Sequence, residues 1–215
     1  MESAAVTPTA KEFFSGLVDY AGLFPPAALS LGESIANYRQ YLDRADSWIL
    51  KRFILTTGHF EKLNEALLAP FSDTKILDVS LVSRDLLHDL QVVREKIKLH
   101  NGRVEIGAVE TVLSLETPPS EILAGNEAAL RNFERELNGK EKISLFYEVP
   151  LHDGWEKSFS DLVRSIKEEQ DHRIVGVKLR CGGVEDHLVP SPARVAFALR
   201  TAANVGVPIK FTAGL

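Results

Sequence analysis

Seven apolar, β-branched segments alternate with capped or amphipathic segments at a spacing of about 30 residues, which predicts an α/β chain built as a TIM-barrel-like parallel (β/α) repeat. Connections of that length join parallel strands through helical crossovers. Two observations choose a barrel over a doubly wound open sheet. Several strand candidates end in a polar or charged residue followed by a turn, which is where a barrel places its site. No GxGxxG follows the first strand candidate, as a dinucleotide-binding sheet would require. A complete barrel has eight strands in about 250 residues. The 215 residues here supply about seven strands, so the expected barrel is incomplete, with its eighth strand missing and a native chain that runs past Leu215.

Taken in order, residues 1–12 read as a polar, flexible leader and residues 13–215 as one barrel-like domain. Phe13 to Leu23 is a strand candidate ending at Pro25-Pro26. Ser30 and Glu33 form a capping box that opens a helix to about Ala45, with Ile35, Tyr38 and Leu42 at helical spacing. Trp48 to Thr57 is the second strand, stopped by Gly58, and a helix follows over about 59–69 until Pro70. Lys75 to Val82 is the third strand. Arg84 to His100 is a helix with Leu86, Leu87, Leu90, Val93 and Ile97 on one side, ended by Asn101-Gly102. Val104 to Val112 is the fourth strand. The following helix starts at Pro118-Pro119-Ser120 and reaches about Leu137, with Gly125-Asn126 as a place where it could break. Ile143 to Val149 is the fifth strand, Phe159 to Glu169 a helix, and Ile174 to Leu179 the sixth strand. Ser191-Pro192, an N-cap with proline at the first helical position, opens a helix to Asn204 before a seventh strand at Val207–Phe211.

Composition narrows the function classes. A formal net charge of −5, with basic residues scattered among acids, gives no nucleic-acid footprint. No uncharged apolar run approaches the roughly 18 residues that cross a bilayer, and the N-terminus lacks the basic and apolar regions of a secretory signal. Cys181 is the only cysteine, so an intramolecular disulfide is impossible and a reducing, cytoplasmic setting is expected. The six histidines show no HExxH spacing, and neither a metal nor an organic cofactor is called for.

The candidate chemistry lies in the last forty residues. Alternation puts Lys178 and Arg180 on one face of the sixth strand, and Lys210 and Thr212 on one face of the seventh. If the opposite, apolar faces meet the helices, both lysines point into the barrel near its C-terminal rim. Two neighbouring lysines would lower each other's pKa and yield a neutral amine able to attack a carbonyl. The alternative is a structural ion pair between Lys178 and Glu148, which ends the fifth strand and could otherwise act as an acid or base. Arg180, with Gly182 and Gly183, suggests a corner for a carboxylate or phosphate. Gly214 closes the seventh strand in the same way. Asp19, in the apolar first strand, could orient a site residue or bond its own turn. Glu110 and Thr111 are weaker candidates, as is His59 on the same rim. Cys181 reads as a small buried apolar group, and Arg84, Arg94, Arg131 and Arg164 as solvated helix faces.

These segments resemble the deoxyribose-phosphate aldolase family of class I aldolases. KLRCGG from Lys178 and KFTAGL from Lys210, thirty-two residues apart, are similar to that family's two lysine motifs. The DYAGLFPPA stretch from Asp19 and FYEVPL with Glu148 resemble two of its strands. The combination DYAGLFPPA, KLRCGG and KFTAGL also resembles an uncharacterised bacterial family across most of the chain. The chain departs from the aldolase pattern in having Leu-Arg-Cys-Gly-Gly after Lys178, and no clear aspartate beside it. The resemblance implies a carbon–carbon lyase or related carbonyl enzyme. Lys178 would form the Schiff base, with Lys210 and Glu148 assisting. Arg180, Gly182, Gly183, Thr212, Gly214 and Asp19 would hold a small anionic, phosphorylated or carboxylated substrate. Two alternatives stay open: a non-catalytic protein that binds such a metabolite, and a metal-assisted hydrolase whose ligands lie partly beyond residue 215. The open first and seventh edges would suit a homo-oligomer.

Overall fold

A computed structural model describes residues 7–72, 74–137, 142–169, 173–182 and 189–212. Its seven strands form one all-parallel sheet in sequence order, curled into an incomplete TIM-barrel-like half-barrel with β1 and β7 at its edges. The strands are β1 (Val18–Tyr20), β2 (Leu50–Thr56), β3 (Leu77–Ser83), β4 (Val104–Val112), β5 (Ser144–Glu148), β6 (Val175–Arg180) and β7 (Ile209–Thr212). The helices are α1 (Pro8–Phe14), α2 (Leu31–Leu42), α3 (Thr57–Phe60), α4 (Glu65–Leu68), α5 (Leu86–Ile97), α6 (Pro119–Glu136), α7 (Trp155–Glu169) and α8 (Pro192–Val205).

Most ends follow their predicted chemistry. Ser30 and Glu33 complete the capping box of α2. Ser191 caps α8 with Pro192 at its first position, and Gly206 closes it at φ 72°. Asn101 and Gly102 take positive φ after α5 and a short 3₁₀ turn.

Four expectations are corrected. The first strand is only three residues long, because Thr7 accepts from the Ala10 N–H and starts α1 across the predicted leader and strand. The helix expected over 59–69 is two short ones, since Asn64 caps a new start by accepting from the Leu67 N–H. Gly125-Asn126 does not break α6, where Asn126 instead reaches Tyr147 Oη at 3.0 Å. Helix α7 starts at Trp155 rather than Phe159, its indole donating to the Val149 carbonyl at 3.0 Å.

The outward strand face is the core. Leu55, Leu81, Val109, Leu145 and Val177 are buried there against the helical layer. Each such side chain contributes about 1.5–3 kcal/mol through removal from water. The alternation then sends Ser80, Glu148, Lys178 and Lys210 inward.

One irregularity decides what β4 contributes. In its first half Val104 and Ile106 belong to the core face. Val79 pairs with Ile106 but Ser80 pairs with Ala108, so Gly107 is an extra residue, a β-bulge. The phase inverts there. Val109 takes over the core face, and Glu110 turns inward.

Candidate active site

The half-barrel encloses a cavity of about 1230 Å³ that reaches both edge strands and the C-terminal rim. Its floor is an ion pair, with Arg52 Nε 3.3 Å from Asp78 Oδ1. A Cβ on Gly107 would fall 2.2 Å from Asp78 Oδ1 and 2.5 Å from Arg52 Nε, so the bulge residue must be glycine to leave this pair room. Burial pushes the Asp78 carboxyl up to about 6, against the pull of Arg52. The sign follows from proton counts: between the unfolded value and about 6 the folded state holds the extra proton, so stability falls as pH rises through that window. Asp78→Asn should flatten that decline. Urea midpoints of both proteins from pH 4 to 7 check it, and parallel curves would refute the shift.

Above the floor lies the charged centre. Lys178 is 9% exposed. Its Nζ is 2.9 Å from Glu148 Oε2 and 3.1 Å from Glu110 Oε2. The Glu148 contact follows from register, because Glu148 pairs with Lys178 across β5 and β6. Lys210 pairs in turn with Lys178 across β6 and β7. Its Nζ donates to Glu110 Oε1 and to Asp19 Oδ2, each at 2.5 Å, and lies 3.3 Å from Ser80 Oγ. It also sits 5.8 Å from the Phe146 ring centroid. That ring has room because Gly176, on the next strand, carries no side chain; a Cβ there would come within 2.8 Å of it.

The structure therefore joins the predicted Lys178, Lys210, Glu148 and Asp19, brings in Glu110, a weaker candidate from the sequence, and adds Ser80. Glu110 is the centre of the group. It is 1% exposed, accepts from Ser80 Oγ at 2.7 Å and touches both lysines. Burial alone would raise its carboxyl pKa, but Lys210 and Lys178 hold it below the usual value. Lys178 is subject to the same contest. Burial disfavours its charge, yet Glu110 and Glu148 outweigh that and raise its pKa. This corrects the expectation of two lysines depressing each other: a buried carboxylate stands between them. Asp19 is occupied likewise, its second oxygen accepting from the Arg52 N–H at 3.0 Å.

The rim residues divide. Arg180 and Thr212 line the cavity side by side in register. The Gly182 carbonyl accepts from Arg180 Nε at 3.0 Å, which positions the guanidinium. Gly183 and Gly214 lie outside the described residues. His59 turns to Thr56, Nδ1 to Oγ1 2.9 Å. Cys181 is buried, which raises its thiol pKa. Arg84 is exposed, as expected, but it precedes α5 rather than belonging to it, and it lines the cavity. Among the described residues no three histidines, cysteines or carboxylates gather as metal ligands, and no helix is long and apolar enough to cross a membrane.

Comparison with protein-family models, curated proteins and solved structures finds no match to the chain.

Proposed function

We propose that the chain is an aldolase-like carbon–carbon lyase, or a related carbonyl enzyme, acting through a Schiff base on Lys178. The observation that carries the reading is two lysines held on one buried carboxylate, Glu110, inside the half-barrel cavity. Lys178 passes a proton to Glu148, 2.9 Å away, and its freed electron pair forms a C–N bond with a substrate carbonyl. Loss of water gives a protonated imine, which draws the electrons of the bond between its α and β carbons into an enamine. As that bond breaks, the departing half keeps a carbonyl and gives its hydroxyl proton to a carboxylate of the group. Reprotonation and hydrolysis then release the second carbonyl product and return the amine. Arg180 and Thr212 hold the anionic end of a phosphorylated or carboxylated substrate.

Borohydride reduction in the presence of small aldehydes and 2-oxoacids, followed by peptide mapping, tests the assignment. The expected adduct is on Lys178. Because Glu110 and Glu148 favour its cationic form, the trapping rate should climb about tenfold per pH unit from 7 to 9. A rate independent of pH would mean that the amine is already neutral, and an adduct elsewhere would remove Lys178 from the role. The same pairing favours a second reading, a protein that binds an anionic metabolite without turning it over. Saturable binding with no adduct on Lys178 at any pH would select it.

A further inference from the structure

The cations in the cavity are of two kinds. Arg52, Lys178 and Lys210 each pair with carboxylates inside the half-barrel. Lys51, near the start of β2, and Arg84 and Arg180, both at the rim, have no carboxylate ion pair among the described residues, although all three line the same cavity. The two arginines stand on different walls, Arg180 at the end of β6 and Arg84 just past the end of β3.

The Arg84 wall carries a second, independent feature. Thr57 is 9% exposed, and its Oγ1 is buried with no hydrogen-bond partner. A buried hydroxyl left unpaired is costly, and a ligand oxygen is one way to satisfy it. Thr57 lines the cavity immediately after β2. Thr56 pairs with Val82, so Thr57-Gly58 and Ser83-Arg84 leave adjacent strands together. A Cβ built on Gly58 meets nothing within 4 Å, which leaves open space beside them. The Arg84 bend is fixed from behind by Asp89, whose Oδ2 accepts from Ser83 Oγ at 2.7 Å and from the Arg84 N–H at 3.2 Å. That carboxylate is thus already engaged by the segment it holds.

We infer that Arg84 and Thr57 form a second oxyanion subsite facing Arg180 across the cavity, so that the ligand is a small molecule with an anionic group at each end. The inference rests on the anion-binding part of the proposed function and is independent of whether Lys178 performs chemistry. A guanidinium and a hydroxyl suit either a carboxylate or a phosphate. Lys178 and Lys210 line the same cavity, on β6 and β7.

Calorimetric titration at fixed ionic strength with propionate, succinate, glutarate and 3-phosphonopropionate tests this without a turnover assay. At least one doubly anionic probe should bind about tenfold tighter than propionate, the gain expected of one added charge-assisted contact. A phosphonate preference over succinate would assign the second group as phosphate-like, and the reverse as carboxylate. Arg84→Ala should erase the advantage of the dianion over propionate. Arg180→Ala should weaken both classes. Arg84→Lys should recover part of the advantage, which a merely structural role for the bend would not give. The inference fails if Arg84→Ala binds every probe as the parent does, or if no dianion outbinds propionate. Loss of propionate binding in Arg180→Ala alone, with no effect at Arg84, would leave the single-anion reading standing and overturn this one.

Discussion

Glu110→Leu is expected to lower folding stability by about 3–5 kcal/mol, because two buried lysines share this carboxylate and each loses an anionic partner with it. The residue is 1% exposed, so water cannot replace what is lost. Lys178 keeps Glu148 and Lys210 keeps Asp19, but each loses one of its two anionic partners. Ser80 Oγ loses its acceptor as well. A double-mutant cycle with Lys210→Met isolates the shared term. The two changes should fall short of additivity by about 1–3 kcal/mol, as contacting charged partners do. Additive effects would show that the 2.5 Å contact carries no interaction energy. The acid response supplies a further check. Because the folded Glu110 pKa is depressed, its contribution is complete above the ordinary glutamate value and is lost as pH falls through the folded one. The gap between the parent and Glu110→Leu should therefore narrow in acid and stay constant from pH 6 to 8. Urea unfolding at those pH values measures it.

The centrality of Glu110 was hidden from the sequence for a definite reason. Read with strict alternation, VEIGAVETV places Val104, Ile106, Ala108 and Glu110 on one face, which its valine and isoleucine mark as the core side. The bulge at Gly107 inverts that phase halfway along, and only strand pairing reveals it. Lys178 and Lys210 were legible because β6 and β7 are regular, so alternation carried them to the interior. Glu148 was legible for the same reason, as its register with Lys178 makes the ion pair. The reversal of the pKa argument has the same origin: two lysines were visible in the motif, and the carboxylate between them came from a strand seventy residues earlier. The strand–helix rhythm was recoverable throughout because each crossover has its own punctuation, such as Ser30, Asn101-Gly102 or Ser191-Pro192. The first strand was overestimated because apolar Phe13, Phe14 and Leu17 resemble a buried strand, while α1 and its junction leave Phe13 and Leu17 largely exposed. Arg84 was misplaced by two residues of helix boundary, enough to move a cation from a helix face to a cavity wall.

Arg173→Met should destabilise the fold by a similar amount, about 3–5 kcal/mol, from a position far from the chemistry. Its side chain is 1% exposed and forms a fork into α6, with Nε to Glu127 at 2.5 Å and Nη1 to Glu134 at 2.6 Å. Nη1 also donates to the Ile143 carbonyl at 2.6 Å, while the Ile143 N–H donates to the same Glu134 oxygen at 2.7 Å. One guanidinium thus ties α6 to the approaches of both β5 and β6. A lysine has a single donor centre and cannot span two carboxylates and a carbonyl, so Arg173→Lys should recover only part of the loss. Glu127 retains Arg131 at 2.6 Å, which makes Glu134 the carboxylate left most exposed to the charge imbalance. Arg173→Met combined with Glu134→Leu should therefore be more stable than Arg173→Met alone. If the double variant is the weaker of the two, the penalty comes from lost packing rather than a stranded charge. The clamp also bears on the site, because β5 and β6 are the strands whose pairing sets Glu148 against Lys178. Hydrogen exchange in Arg173→Met should accordingly rise first at the N-terminal ends of those strands, at Leu145 and Val177, whose amides donate to the Ile174 and Pro208 carbonyls.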